Sequence, residues 1–336
     1  MRKEIIFAVI FGIAFGTVVA LGFLRANKAI KESAAGISTN NNSASNETQK
    51  LTQTSGLTLI KPQDNEVVID NPVVFSGLTR SGSYIVATNG ENDEFIKTDN
   101  GSFELEFELE PAKNIIKINS LSDSGENQET SVAIVYSSEF SKQVDTGGDE
   151  NSVDERLENA KKAYTFFGGT ITDISNGSIQ MKSDGQEIKY LAIDEGKTTF
   201  SKLTTKSQNI KYSDLAIGDY ILALGYLDDK NVLVTLRILV TSVENPESVK
   251  VILGTVDDIG KSSISLRSSD DKIYQLTTSK SSKFTDGDIN DPKKAIFSDI
   301  EIGSTVILTY GVTDENLIIR MLHIISYPEA DTVNAN

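Results

Sequence analysis

At 336 residues the chain exceeds one small domain and has room for two or three modules, each burying its own core. Its 48 acidic and 32 basic residues leave a net charge of −16, which repels phosphate backbones and excludes nucleic acid as a partner. There is no cysteine, so a disulfide framework, a thiolate metal site and a cysteine nucleophile are all excluded, and stability rests on packing.

Residues 5 to 24, IIFAVIFGIAFGTVVALGFL, carry no charge. A helix of that length spans roughly 30 Å, about the hydrocarbon thickness of a bilayer. The run is longer than the apolar region of a cleaved signal peptide, and Ala26-Asn27-Lys28-Ala29 is a poor cleavage site. It is therefore read as a retained signal-anchor, with residues 1–25 as the membrane segment. Arg2 and Lys3 on one flank and Arg25, Lys28 and Lys31 on the other leave the charge rule undecided. The short N-terminal flank and the polar stretch that follows favour a cytoplasmic N-terminus and an extracytoplasmic remainder. Ala8, Gly12, Gly16 and Ala20 recur every four residues and form a small-residue face on which two such helices could dimerise.

Residues 26–56 are rich in Ser, Thr, Asn and Gln and read as a disordered tether. Residues 57–137 change to short β-branched runs broken by turn signals. Phe103, Leu105, Phe107 and Leu109 alternate with Glu104, Glu106, Glu108 and Glu110, the period of a strand with one buried and one wet face. Seven or eight such strands in this length predict a β-sandwich. The segment resembles the immunoglobulin-like modules of bacterial surface proteins, including the glucodextranase type. The likeness rests on Pro62-Gln63-Asp64-Asn65, Val74-Phe75-Ser76-Gly77, Asp99-Asn100-Gly101-Ser102-Phe103 and Asn114-Ile115-Ile116-Lys117-Ile118. Pro111-Ala112-Lys113 stands where that family has a glycine-containing turn. Such modules act as spacers or adhesive units, so the resemblance implies no chemistry.

Residues 138–166 form a connector in which Val153, Leu157, Ala160 and Tyr164 recur at helical spacing, predicting a short amphipathic helix.

The remainder is a duplication. Gly169, Ile171, Asp173 and Ile174 match Gly254, Val256, Asp258 and Ile259 at an offset of 85 residues, and Asp214 and Gly218 match Asp299 and Gly303 at the same offset. Beyond a small gap the last strands align with Arg237 opposite Arg320. Residues 167–245 and 249–327 are thus predicted to be two small OB-like β-barrels, with residues 328–336 a disordered tail. Gly218 and Gly303 suit a turn needing positive φ, and the preceding Ser-Asp suits a capped helical turn. The repeated pieces resemble an uncharacterised family of small exported bacterial β-domains, which implies a fold and no activity. The fold class is all-β behind one membrane helix.

Enzymatic signals are sparse, and the chain is read as non-enzymatic, with no cofactor. The single histidine, His323, lies in a strand run and is expected to face solvent or a neighbour. Asp286, Asp288 and Asn290 begin like a calcium loop, but Asp291 replaces the loop's glycine and Phe297 its last glutamate. The stretch has no visible counterpart in the first repeat and reads as an insertion. Tyr84, Tyr190, Tyr226, Tyr274 and Tyr310 are the candidates for a sugar-binding surface. The function read from all this is a membrane-anchored, extracytoplasmic, extended acidic scaffold for adhesion or envelope organisation, whose partner is a surface protein or a glycan. A saccharide-binding accessory protein is the alternative, and a carboxylate-dependent hydrolase a remote one.

Overall fold

The computed structural model describes residues 56–137, 164–203, 207–242, 248–313 and 316–328. The anchor segment with Ala8, Gly12, Gly16 and Ala20, and the connector stretch Val153 to Ala160, lie outside the described residues. Among the described residues all regular structure is β-strand apart from two 3-10 turns, and no helix is long and apolar enough to cross a membrane.

The first eight strands form two facing sheets. One holds β1 (Thr58–Lys61), β3 (Val73–Leu78) and β6 (Ser102–Phe107). The other runs β2 (Glu66–Val68), β8 (Asn127–Tyr136), β7 (Ala112–Leu121), β4 (Tyr84–Thr88) and β5 (Asp93–Lys97). Every pairing is antiparallel except β2 with β8, which is parallel. Phe75, Phe103, Leu105 and Phe107 meet Ile85, Ile116, Ile118 and Ile134 between the sheets. Phe75 and Phe107 pack edge to face, their centroids 6.1 Å apart. The four alternating glutamates are exposed. Gly90 and Gly101 take φ of 93° and 84° in their turns. Ala112 is left-handed at φ 73°.

The second half closes twice into a five-strand barrel. In the first, β9 (Thr165–Ser175), β10 (Ser178–Ser183), β11 (Ile188–Ile193), β15 (Leu233–Thr241) and β14 (Tyr220–Leu227) pair in that order, and β14 returns to β9. In the second the ring is β16 (Val249–Ile259), β17 (Ser263–Ser268), β18 (Ile273–Asp288), β21 (Asn316–Ser326) and β20 (Thr305–Thr313), again closed onto its first strand. In each ring one pair runs parallel, β11 with β15 and β18 with β21. Each barrel also carries a hairpin beside its last strand: β12 (Thr199–Leu203) with β13 (Ser207–Asn209), and the end of β18 with β19 (Asp291–Ala295). The Asp286 stretch therefore does have a counterpart in the first repeat and is no insertion. The counterpart escapes a sequence comparison because the hairpins share geometry and few residues.

The repeat's opening pattern has a geometric cause. Ile171 and Ile174, three apart, would face opposite sides of a regular strand. A bulge leaves Thr172 unpaired between the pairs Ile171–Met181 and Asp173–Gln180, so both isoleucines turn to the barrel interior. The second copy does the same at Asp257, between Val256–Leu266 and Asp258–Ser265. Gly169 and Gly254 sit where the first strand bends between two partners. A Cβ there would lie 2.2 Å from the Lys182 carbonyl oxygen and 2.3 Å from that of Arg267. Asp214 and Asp299 end the 3-10 turns Tyr212–Asp214 and Phe297–Asp299, their carboxylates accepting the N–H of Lys211 and Ile296 at 2.8 and 2.9 Å. Gly218 and Gly303 follow at φ 98° and 91°. An aromatic pair lies under each turn, Phe200–Tyr212 and Phe284–Phe297, with centroids 5.7 and 5.9 Å apart.

Candidate functional site: two seams around the sandwich

Strand β4 is buried at all five positions. Ile85 and Ala87 face the sandwich core, while Tyr84 and Val86 point the other way and are covered by the second barrel. The central strands of the barrels repeat this habit. In β14, Ile221 and Ala223 fill the barrel while Leu222 and Leu224 lie against the sandwich; in β20, Val306 and Leu308 point inward and Ile307 outward. These strands read as unbroken apolar runs because both faces are covered. That signal was present in SYIVAT and YILALGYL, but it does not say what covers the second face.

The first seam joins the sandwich to the first barrel. Val67, Ala112 and Val135 pack on Phe166, Leu222, Leu224 and Leu239. Backbone bonds cross it: Phe166 N–H donates to the Asn65 carbonyl and Val67 N–H to that of Tyr164, both at 3.1 Å. Tyr164, predicted to close a helix, instead has no regular secondary structure and directly precedes β9, which starts at Thr165. Lys113 Nζ donates to Asp184 Oδ2 at 2.6 Å, and the Tyr220 hydroxyl donates to the same oxygen at 3.0 Å. Beside these contacts lies a largely apolar cleft of about 230 Å³ between Val135, Leu203, Leu224 and Leu239, with Arg237 on its wall. Arg237 donates to Ser201 Oγ at 3.3 Å, and burial lowers its guanidinium below the ordinary value.

The second seam joins the sandwich to the second barrel. Tyr84, Val86, Phe95 and Leu121 pack on Leu253, Ile289 and Ile307. Ile289 is the tip of the β18–β19 hairpin. Beside it Asn290 takes the Lys97 N–H on Oδ1 at 2.9 Å and donates Nδ2 to the Lys97 carbonyl at 3.2 Å. Asp93 Oδ2 accepts from Thr309 Oγ1 at 3.0 Å and from Arg320 Nε at 3.1 Å. Lys97 Nζ donates to the Tyr84 hydroxyl at 3.0 Å, which raises the lysine's pKa against its partial burial. A cleft of about 350 Å³ opens at the edge of this seam, lined by Tyr84, Asp123, Leu253, Arg267, Ser268 and Ser269.

The two barrels present the same face to the sandwich, since Leu222 and Ile307 are matched at the repeat offset of 85. The final strands need a correction. Ala223 pairs with Ile238 and Leu308 with Leu322, so Leu322 is the counterpart of Ile238. Arg237 therefore corresponds to Met321, and Arg320 to Leu236, the residue bulged out in the first barrel. The alignment of Arg237 with Arg320 was one residue out of register, which in a strand is the difference between opposite faces. Because each barrel is docked, the modules do not form the extended row expected from the sequence.

The other candidate residues fall as follows. Asp173 accepts from Ser175 Oγ at 3.0 Å, and Asp258 stands beside Ser265 on the neighbouring strand β17. Asp286 Oδ2 accepts from the Tyr327 hydroxyl at 3.2 Å, Asp288 Oδ1 accepts the Asn290 N–H at 2.9 Å, and Asn290 is committed to Lys97. Among the described residues no cluster of three or more His, Cys, Asp or Glu side chains could hold a metal. Of the tyrosines, Tyr84 and Tyr310 are buried, Tyr226 and Tyr274 half-buried, and Tyr190 exposed. They converge on no shared surface: Tyr84 lies in the second seam and Tyr274 packs on Tyr310 at 6.3 Å. His323 does not face solvent; it is 1% exposed.

No protein-family model and no curated protein matches the chain. Six solved chains match it, among them a Drosophila Unr structure described as CSD456. That chain is 11% identical, over an alignment covering 80% of this chain and 99% of that one, at a TM-score of 0.17. A superposition that loose carries no argument about fold or function.

Proposed function

We propose that the chain is a membrane-anchored, extracytoplasmic, non-catalytic scaffold for adhesion or envelope organisation, in which an immunoglobulin-like sandwich carries two OB-like barrels. The observation that carries this reading is that both barrels use one and the same outer face for docking and fill their interiors with aliphatic side chains. Three strands against five, with a short second strand parallel to the last, supports the immunoglobulin-like assignment. The parallel pairing of β11 with β15 and of β18 with β21 supports the OB-like one. The surface free to meet a partner is then the outward side of each barrel, where Ile188 and Ile273 stand exposed at matched positions.

The test is protease accessibility on intact cells carrying a C-terminal epitope tag beside a cytosolic control. Removal of the tag with the control intact supports an exported scaffold; protection of the tag reverses the topology and overturns the reading.

A further inference from the structure

We infer that the second seam is an acid-released latch, with His323 as the group that takes up the proton. His323 is the only histidine in the chain. It sits on β21 opposite Ile307, whose side chain is at the centre of the seam. Its ring Nδ1 lies 3.0 Å from Thr285 Oγ1, while Nε2 is buried without a hydrogen-bond partner among the described residues. The duplication supplies an internal control. The counterpart of His323 in the first barrel is Leu239, an aliphatic residue that packs on the sandwich through the first seam. The docking geometry therefore asks only for an apolar side chain at this position, and the second barrel has placed a titratable one there.

A neutral imidazole is tolerated in such a seam, whereas an imidazolium needs solvent or a second partner for its new N–H. The charged and titratable groups around the seam are Lys283, Asp286 and Asp288 on β18, Arg267 on β17, Arg320 on β21, and Tyr84, Asp93, Glu94, Lys97 and Asp123 on the sandwich. Asp93 is already engaged by Arg320 and Thr309, Asp286 by Tyr327 and Asp288 by the Asn290 backbone. Burial lowers the His323 pKa from its ordinary 6.5, and outweighs the Gly287 backbone and the two hairpin carboxylates, which raise it. The folded chain thus holds this proton less tightly than a free imidazole does, and the part of that burial supplied by the sandwich is what protonation would oppose. Docking is fully present above the ordinary histidine value and is lost as pH falls through the lowered one.

Because the chain lacks cysteine, two can be introduced for labelling, at the exposed Glu91 of the sandwich and the exposed Lys280 of the second barrel. Energy transfer between pH-insensitive dyes is then followed in the full chain in detergent, from about pH 7.5 to about pH 5. The expected result is a reversible loss of at least about half the transfer efficiency, with the far-UV circular dichroism unchanged, and retention of the signal in both His323→Leu and His323→Gln. Three results overturn the latch: transfer in the parent that is constant across the range, loss accompanied by unfolding, or an equal loss in both variants. The last would assign the effect to the carboxylates.

Discussion

Asp93 and Arg320 are 227 residues apart in the chain and 3.1 Å apart in space. The carboxylate belongs to β5 of the sandwich and the guanidinium to β21 of the second barrel, and Thr309 adds a hydroxyl to the same Asp93 oxygen. The Asp93 side chain is 5% exposed and that of Arg320 20%, so the pair is sheltered on one side and partly wet on the other. Removing one partner of such a pair leaves the other's charge and the Thr309 hydroxyl less well matched. Asp93→Ala is expected to weaken docking of the second barrel by about 1–3 kcal/mol, and Asp93→Asn by less. Denaturant titration followed by energy transfer across the seam reads this directly. A midpoint equal to the parent's would mean that the pair contributes nothing to docking.

The hairpin tip is the apolar half of the same contact. Ile289 is 7% exposed although it occupies a tight turn, a position that is normally wet. Ile289→Ala should cost about 2–3 kcal/mol of docking, and Asn290→Ala, which removes both bonds to the Lys97 backbone, about 1–2 kcal/mol. Thermal unfolding with a probe in each module should show the second barrel separating first in both variants. A single transition shifted equally for every probe would contradict this.

Gly169 and Gly254 leave no room for a side chain, because the obstructing atoms are backbone carbonyl oxygens that cannot swing away. Alanine at either site should destabilise its own barrel by more than about 2 kcal/mol. Gly218→Ala, where nothing lies within 4 Å of the new methyl and only the positive φ opposes it, should cost about 1 kcal/mol. Urea midpoints for the three variants decide whether contact or conformation governs these glycines.

Gln186 and Asp271 occupy matched hairpin turns and are both left-handed, at φ 66° and 60°. Neither residue gains from that conformation as glycine does. Gln186→Gly and Asp271→Gly are each expected to raise stability by about 0.5–1 kcal/mol, visible as a higher melting temperature. A fall in both would show that their side chains make contacts worth more than the relieved backbone.

Calcium is expected to leave the melting temperature unchanged, as is a chelator. One carboxylate oxygen each of Asp286 and Asp288 is engaged by Tyr327 and the Asn290 N–H, the Asn290 Oδ1 is engaged by the Lys97 N–H, and the three side chains gather no cluster of ligands. A rise in melting temperature with calcium, lost in Asp288→Asn, would reinstate the site.

Much of the fold was legible residue by residue. The alternation from Phe103 to Glu110 has one wet and one dry face, the Gly218 and Gly303 turns have positive φ, and Asp214 and Asp299 cap helical turns. These are local effects, set by neighbours within a few positions. The duplication, likewise, needed only the comparison of one half with the other. Where that comparison met the loop before the last strand it failed, because the loop from Leu227 to Leu233 is one residue longer than that from Val312 to Leu317 and an aliphatic strand does not mark the size of the gap; hence Arg237 was set against Arg320 rather than Met321. The hairpin shared by the two barrels was invisible for a related reason, since it is defined by pairing to β15 and β21 more than by residue identity.

By itself the sequence determined that the described chain is all-β, where its strands alternate, where it turns and that its second half is a repeat. Only the tertiary structure decided that both barrels dock on the sandwich by one face, that His323 lies inside a seam where the first barrel has Leu239, and that Asp93 reaches Arg320. Strand period and turn chemistry are properties of short segments. Docking depends on which second face of a doubly apolar strand, such as β4 or β14, finds a partner, and that partner is up to 227 residues away.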